Sequence, residues 1–235
     1  MQFFSASFKL VKTSIKLGRL MPKCNNCGLE VAEDDARFCP NCGAPLQVQV
    51  RREAKIVVIS TSHRALAVAV FFAIGFLATL AGSLSTVESS EAKEIVQQVE
   101  ELREFILNSP ELGSAMIFGN NMIHCLTMFI PVLGLVRGLY VLYSTGRALA
   151  ALGLVYNSNP LYLTVITFIF PHAVLEYLAY SIALSEGFWL TYVLVKKNLK
   201  SFRGEIVETA KMISLSSLIL LSAAFIEMYT IIAQI

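Results

Sequence analysis

Two long stretches with almost no charge limit this chain more than any other feature. Residues 65–83 carry no charged side chain, and residues 212–235 carry only Glu227. A helix needs roughly 20 mostly apolar residues to cross the hydrocarbon core of a bilayer. Residues 116–195 form a further, nearly continuous apolar block, and the mean hydropathy of the chain is +0.63. We therefore expect an all-α polytopic membrane helix bundle.

The apolar blocks predict about five membrane spans plus one re-entrant or half-length helix. Residues 161–195 are too long for a single span at about 1.5 Å per residue. If residues 196–211 lie inside, the parity of the crossings fits five full spans with the half helix near residues 139–157. Glycines and alanines between residues 138 and 153 would let this element pack closely against its neighbours. Arg147 in this element needs a carboxylate or water, and we expect Glu176 as its first partner and Glu227 as its second.

Charges between the apolar blocks predict the orientation. Residues 88–111 contain seven acidic and two basic residues, whereas residues 196–211 contain five basic and two acidic ones. Basic flanks mark the cytoplasmic side of a membrane protein. We expect a multi-pass protein of the cell membrane with a cytoplasmic N-terminus. Apolar residues at helical spacing predict an acidic amphipathic helix over residues 89–108, on the extracytoplasmic side.

Four cysteines near the N-terminus add a second strong constraint. Residues 22–46 contain two Cys-x2-Cys pairs, formed by Cys24, Cys27, Cys39 and Cys42. Four thiolates at this spacing can close a tetrahedron around Zn²⁺, and so short a segment needs the metal in order to fold. Two disulfides are the alternative, but disulfides are rare in the reducing cytosol. We predict a small zinc ribbon that holds one structural Zn²⁺.

The chain thus divides into four expected segments. They are a basic N-terminal segment at 1–20, the zinc ribbon at 22–46, a linker at 47–63 and the membrane bundle at 64–235. The first segment has four bases and no acid. We expect it to be either an amphipathic helix on the membrane surface or an untranslated or disordered extension ahead of Met21. The ribbon has two bases against four acids, so we expect no nucleic acid partner.

Polar residues within the apolar blocks predict a cluster in the bundle interior. Asn120 and His124 stand four residues apart, as do His172 and Glu176, so each pair shares one helix face. Pro171 lacks an amide donor and should kink or break the helix. Ionisable groups at membrane depth are costly unless they are paired or reach water. The expected intramembrane polar cluster comprises Asn120, Asn121, His124, Arg147, Pro171, His172 and Glu176.

Two short motifs carry a family resemblance. The run FGNN at residues 118–121, followed by PHAVLE at 171–176, resembles the membrane family of stage II sporulation protein M. Members of that family carry an Asn-containing segment and a Pro-His-Gly-x-x-Glu signature. The resemblance covers about residues 60–235 and extends to Asn121, Pro171, His172 and Glu176, while Ala173 replaces the usual glycine. It implies a scaffold or anchor that works with cell-wall hydrolases in spore formers, and not an enzyme.

Three functions are compatible with these features. We favour a membrane scaffold or assembly factor that is not an enzyme, sits in the lipid bilayer and recruits a protein partner through the zinc ribbon. A homo-oligomer is compatible with this role. The alternative is a channel or transporter for a small solute or ion, with His172 and Glu176 relaying protons. The third is an intramembrane hydrolase, although the sequence has no known zinc-protease spacing.

Overall fold

The computed structural model describes residues 11–12, 24–31, 38–46, 57–196 and 199–233. The chain divides into two compact units, Met1–Val58 and Ile59–Ile235. The first unit holds the four paired cysteines and two short antiparallel strands, β1 (Val11–Lys12) and β2 (Val57–Val58). Most of the basic segment expected at 1–20 and of the linker expected at 47–63 lies outside the described residues.

The second unit is an all-α helix bundle, as the apolar blocks predict. Its described residues form α1 (Thr61–Ser83), α2 (Ser89–Asn108), α3 (Pro110–Met128), α4 (Leu133–Val155), α5 (Pro160–Thr167), α6 (Pro171–Lys196) and α7 (Leu199–Ala233). Within this described part, α1, α4, α6 and α7 are long and apolar enough to cross a membrane. The 19-residue α3 follows α2 in the chain, and a tight turn joins it to α4.

The helix α6 lies at the centre of the bundle. About two thirds of its most apolar stretch (67%) is buried, against 17% to 33% of the corresponding stretches of α1, α4 and α7. Ala179, Ala183 and Leu184 of α6 are fully buried. The outer helices expose many large apolar side chains, as expected of a protein whose solvent on those faces is lipid.

Helices α1 and α4 touch through their backbones. A Cβ atom built on Gly146 of α4 would lie 2.0 Å from the carbonyl oxygen of Thr79, and one on Gly82 of α1 would lie 2.1 Å from that of Tyr143. Only glycine permits such an approach. The half helix predicted at residues 139–157 is wrong, because α4 is continuous over 23 residues. The close packing predicted for its small residues is confirmed at Gly146.

The short helix of the bundle is α5, which has eight residues. It begins where the Asn159 side chain accepts a hydrogen bond from the Leu161 N–H at 2.9 Å, with Pro160 in the first turn. After a turn at residues 168–170, Pro171 opens α6, where its missing amide hydrogen costs no helical bond. The helix break predicted at Pro171 is thus confirmed.

Candidate functional site

The four paired cysteines of the N-terminal unit form a candidate metal centre. Their sulfur atoms all lie within 4.8 Å of one another, and the Cys24–Cys42 and Cys27–Cys39 sulfurs are 3.6 and 3.5 Å apart. Zn–S bonds of about 2.3 Å place tetrahedral thiolates about 3.8 Å apart. The donor set and its spacing therefore fit one Zn²⁺ with four protein ligands, which is a structural site.

Each Cys-x2-Cys pair closes a turn of the same form. The amides of Gly28 and Gly43 donate to the carbonyls of Cys24 and Cys39, both at 2.9 Å. Both glycines have positive φ, 75° and 68°, which L side chains rarely adopt. The turns aim the next amides at sulfur: the N–H of Leu29 lowers the pKa of Cys27, and the N–H of Ala44 lowers the pKa of Cys42 to about 6.

The thiol of Cys39 behaves differently. The backbone N–H of Cys42 favours its thiolate, but burial and the thiols of Cys27 and Cys42 outweigh that effect and raise the pKa of Cys39 to about 11. Several thiolates this close repel one another unless a cation lies between them. A bound Zn²⁺ would supply that positive charge, since thiolates are its preferred soft ligands.

A polar cavity opens in the bundle between α3, α4 and α6. Its volume is about 400 Å³. The Asn121 amide donates to a Glu176 carboxylate oxygen at 2.5 Å, and the carboxyl of Glu227 lies within hydrogen-bonding reach of Glu176. The lining residues are Asn120, Asn121, His124, Arg137, Tyr140, Val141, Ser144, Thr145, Glu176, Tyr177 and Tyr180.

The structure brings together part of the predicted polar cluster. Asn120, Asn121, His124 and Glu176 line the same cavity. His172 does not line it; its ring stacks on Phe170 with the ring centres 5.6 Å apart. The Nδ1 atom of His172 has no hydrogen-bond partner among the described residues.

Arg147 has a different partner from the one predicted. Its guanidinium pairs with Glu91 of α2 and also reaches the Ser85 hydroxyl at 3.4 Å. The expectation of Glu176 or Glu227 is therefore wrong, because α2 folds back against α4 and brings a carboxylate closer than either. A second contact supports this arrangement: the Tyr156 hydroxyl donates to Glu100 of α2, which raises the pKa of Tyr156.

The most buried ion pairs among the described residues of the bundle were not predicted. Arg64 in the first turn of α1 pairs with Glu186 of α6 and Glu205 of α7, and the three side chains are only 10%, 3% and 2% exposed. The Thr209 hydroxyl donates to Glu186 at 3.3 Å, and the Ile59 amide donates to Glu205 at 3.4 Å. The sequence does contain a signal for these ion pairs, because Glu186 is an acid within an apolar block and such residues need a partner.

Comparison with known families agrees with these features. A sequence model described as Stage II sporulation protein M matches residues 65–230, more than half of the chain. The chain belongs to this family. A zinc-ribbon domain model matches residues 23–46. No curated protein and no solved structure matches the chain.

Both motifs that suggested the stage II sporulation protein M family lie inside the matched range. Two of their residues, Asn121 and Glu176, are hydrogen-bonded to each other in the structure. The chain is thus a membrane protein of this family, and its zinc ribbon precedes the family region.

Proposed function

We propose that this protein is a membrane scaffold or assembly factor: the bundle anchors it in the cell membrane, and the zinc ribbon recruits a protein partner. It has no catalytic role in this proposal. The observation that carries the proposal is an exposed apolar surface beside the metal centre. Phe38 and Leu29, next to the cysteine turns, are 63% and 39% exposed.

An aromatic ring held open to solvent suits protein recognition. Phe38 lies in an isolated β-bridge with Pro45, directly before Cys39, so the metal centre fixes its backbone. Exposed aromatic side chains on a rigid support are typical anchors of protein interfaces. The acidic balance of the ribbon sequence disfavours phosphate, so a protein with an apolar pocket and a basic rim fits this surface best.

The bundle has contacts expected of a rigid anchor. Arg64 joins three helices through Glu186 and Glu205, and the Tyr177 hydroxyl lies 2.5 Å from that of Thr79, joining α6 to α1. Buried polar pairs of this kind fix how helices align with one another. A fixed alignment favours anchoring over large rearrangement.

The proposed orientation places the ribbon in the cytoplasm. Counting α3 as a fifth span and α5 as the half-length helix, the chain alternates sides so that the basic segment 196–211 returns to the ribbon's side. The acidic helix α2 then lies outside the cell membrane. The distribution of Lys and Arg supports this arrangement.

Partner recovery from mild detergent tests the proposal. The full chain and its Phe38→Ser and Phe38→Tyr variants would be cross-linked in cells, purified and analysed by mass spectrometry, with zinc content as the control for ribbon folding. We expect one constant partner that Phe38→Ser loses and Phe38→Tyr keeps, at one zinc per chain in all three. Recovery of the same proteins with Phe38→Ser would contradict the proposal. Solute flux in vesicles containing the purified chain alone would favour a transporter instead.

A further inference from the structure

Two carboxyl groups meet inside the bundle, where α6 packs against α7. The carboxyl of Glu176 lies within hydrogen-bonding reach of that of Glu227. Glu227 shares its face of α7 with Ala223 and Ala224, which are fully buried. Both helices are long and apolar enough to cross a membrane. The two carboxyls therefore touch between packed helices and not on a surface that faces water.

This carboxyl pair has no cation beside it. Among the described residues, no basic side chain forms an ion pair with either carboxyl. The buried acids Glu186 and Glu205, on the same two helices, differ in that they share Arg64. In the part of the chain that the structure describes, only the four ribbon cysteines bring three or more metal-binding side chains together. Neither a basic side chain nor a metal centre thus accounts for the contact.

A bound proton does account for it. Two ionised carboxylates in contact repel each other strongly where water is scarce, so carboxyls that share a site hold one proton between them. The protonated group then donates a hydrogen bond to the ionised one. The Asn121 amide donates to Glu176 at 2.5 Å and so provides a second hydrogen bond to the pair.

The polar cavity of about 400 Å³ connects this pair with a second proton-exchanging group. Glu176 and His124 both line the cavity, and His124 lies one turn of α3 beyond Asn121. The Nδ1 atom of His124 is buried and has no hydrogen-bond partner among the residues that the structure describes. An imidazole nitrogen can take up or release a proton near neutral pH. A polar cavity of this size also has room for several water molecules.

We propose that Glu176 and Glu227 form a proton-binding site, which holds one proton between α6 and α7 and exchanges it with water in the cavity. Loss of that proton places two anions in contact and weakens the joint between the two helices. This inference goes beyond the scaffold proposal and does not depend on it, because it concerns the bundle and not the ribbon.

The other titratable groups near the pair do not replace the proton. Those that face the pair or line the cavity are His124, Cys125, Arg137, Tyr140, Tyr177 and Tyr180. Residues 65–83 of α1 contain none. Tyrosine and cysteine side chains carry no charge at neutral pH. Arg137 is charged, but it forms no ion pair with either carboxyl.

Infrared spectroscopy of the purified, zinc-loaded full chain in detergent tests the site. At about pH 7 carboxyl groups in water are ionised, so a band from a protonated carboxyl reports a group such as this pair. Glu176→Gln and Glu227→Gln each remove one member, and the new amide can donate to the remaining carboxylate without a proton. Glu94→Gln removes an exposed acid of α2 and is the matched control.

We expect the wild type and Glu94→Gln to show the band and to shift it in D₂O, and both variants of the pair to lose it. Absence of the band from the wild type, or its loss from only one variant of the pair or from neither, would overturn the shared proton. A band that D₂O leaves unchanged would overturn its exchange with water in the cavity.

Thermal unfolding of the same four proteins tests the joint between the helices and confirms that each variant is folded. The folded pair keeps a proton that separate carboxyls in water release at about pH 4. The unfolding midpoint of the wild type should therefore fall as the pH is raised from about 5 to about 9. Glu94→Gln should follow the wild type, and both variants of the pair should show a smaller fall. The ribbon contributes equally to all four, so an identical pH dependence in all of them would contradict the proposal.

Discussion

Arg64 of α1 donates from one guanidinium nitrogen to both carboxylate oxygens of Glu186 in α6, at 2.5 Å each. Its other terminal nitrogen binds Glu205 of α7. One cation thus joins three helices and faces two carboxylates. Removing the cation and removing one anion should therefore have unequal effects.

We predict that Arg64→Gln destabilises the protein more than Glu186→Gln. Arg64→Gln leaves two buried carboxylates without a cation, and breaking a buried pair typically costs about 3–5 kcal/mol. Glu186→Gln leaves Arg64 with Glu205, a neutral pair, so its cost should be smaller. Thermal unfolding of both variants in the same detergent measures the difference. Equal or reversed midpoints would contradict this account of the charges.

The glycine contact between α1 and α4 predicts a steric effect. The Cβ atom of Gly146→Ala would lie 2.0 Å from the Thr79 carbonyl oxygen, so α1 and α4 would have to move apart. Overpacking of this kind costs about 1–3 kcal/mol or more. Gly119→Ala in α3 is the matched control, because a Cβ there meets nothing within 4 Å. It should be neutral or stabilise the helix by up to about 1 kcal/mol. The thermal unfolding midpoints of the two variants measure these effects. A similar loss of stability in both would contradict the backbone contact between α1 and α4.

The pairing of Arg147 with Glu91 predicts a smaller, salt-sensitive effect. The side chains are 26% and 44% exposed, so water and ions screen their attraction. Glu91→Gln should lower the unfolding midpoint by less than Arg64→Gln does, and its effect should shrink as salt rises. Glu94→Gln, an exposed acid on the same helix, is the control. Thermal unfolding at low and high salt measures the stability of both variants. If Glu176→Gln rather than Glu91→Gln removed the salt dependence, the partner would be misassigned.

Zinc binding by the ribbon should release protons. At pH 8 the Cys42 thiol, with a pKa of about 6, is already ionised, whereas that of Cys39, with a pKa of about 11, still holds its proton. Because zinc binds thiolates, its uptake must displace at least the Cys39 proton. The affinity should therefore rise with pH up to about 9, above which hydroxide competes with the thiolates for Zn²⁺. A pH indicator in weak buffer counts the protons as the zinc-free full chain is titrated with zinc. Uptake without proton release would contradict these ionisation states.

The proposed orientation predicts which introduced thiols are accessible from outside the cell. Lys93 in α2 and Lys196 at the end of α6 are both exposed. In intact cells a membrane-impermeant maleimide should label Lys93→Cys and leave Lys196→Cys unlabelled until the membrane is opened. The natural Cys125 is fully buried, but the four ribbon thiols can also react, so the unsubstituted chain labelled under the same two conditions gives the background to subtract. The opposite labelling pattern would place the ribbon outside.

The parts of this structure that depend on local sequence were predictable. The cysteine spacing and its two glycines specify the ribbon because every contact of each turn lies within six residues. The break at Pro171 follows from the chemistry of proline alone. Residues 89–108 show helical periodicity in their sequence, and α2 has those bounds.

Contacts between distant residues could not be predicted in this way. Arg147 and Glu91 are 56 positions apart, and nothing local indicates that α2 folds against α4. The small residues around Gly146 predict a close helix contact, but nothing local shows that the facing residue is Gly82 of α1. Arg64 resembled an ordinary membrane-flank charge, because its partners lie 122 and 141 positions away.

The backbone contact at Gly82 and Gly146 also limits how the bundle can move. Side chains between helices can change rotamer and let the helices slide, but two main chains in direct contact have nothing to rearrange. The two helices therefore cannot slide past each other at this contact without first moving apart. Relative movement within the bundle is easier where helices meet through longer side chains, or at the α5–α6 joint.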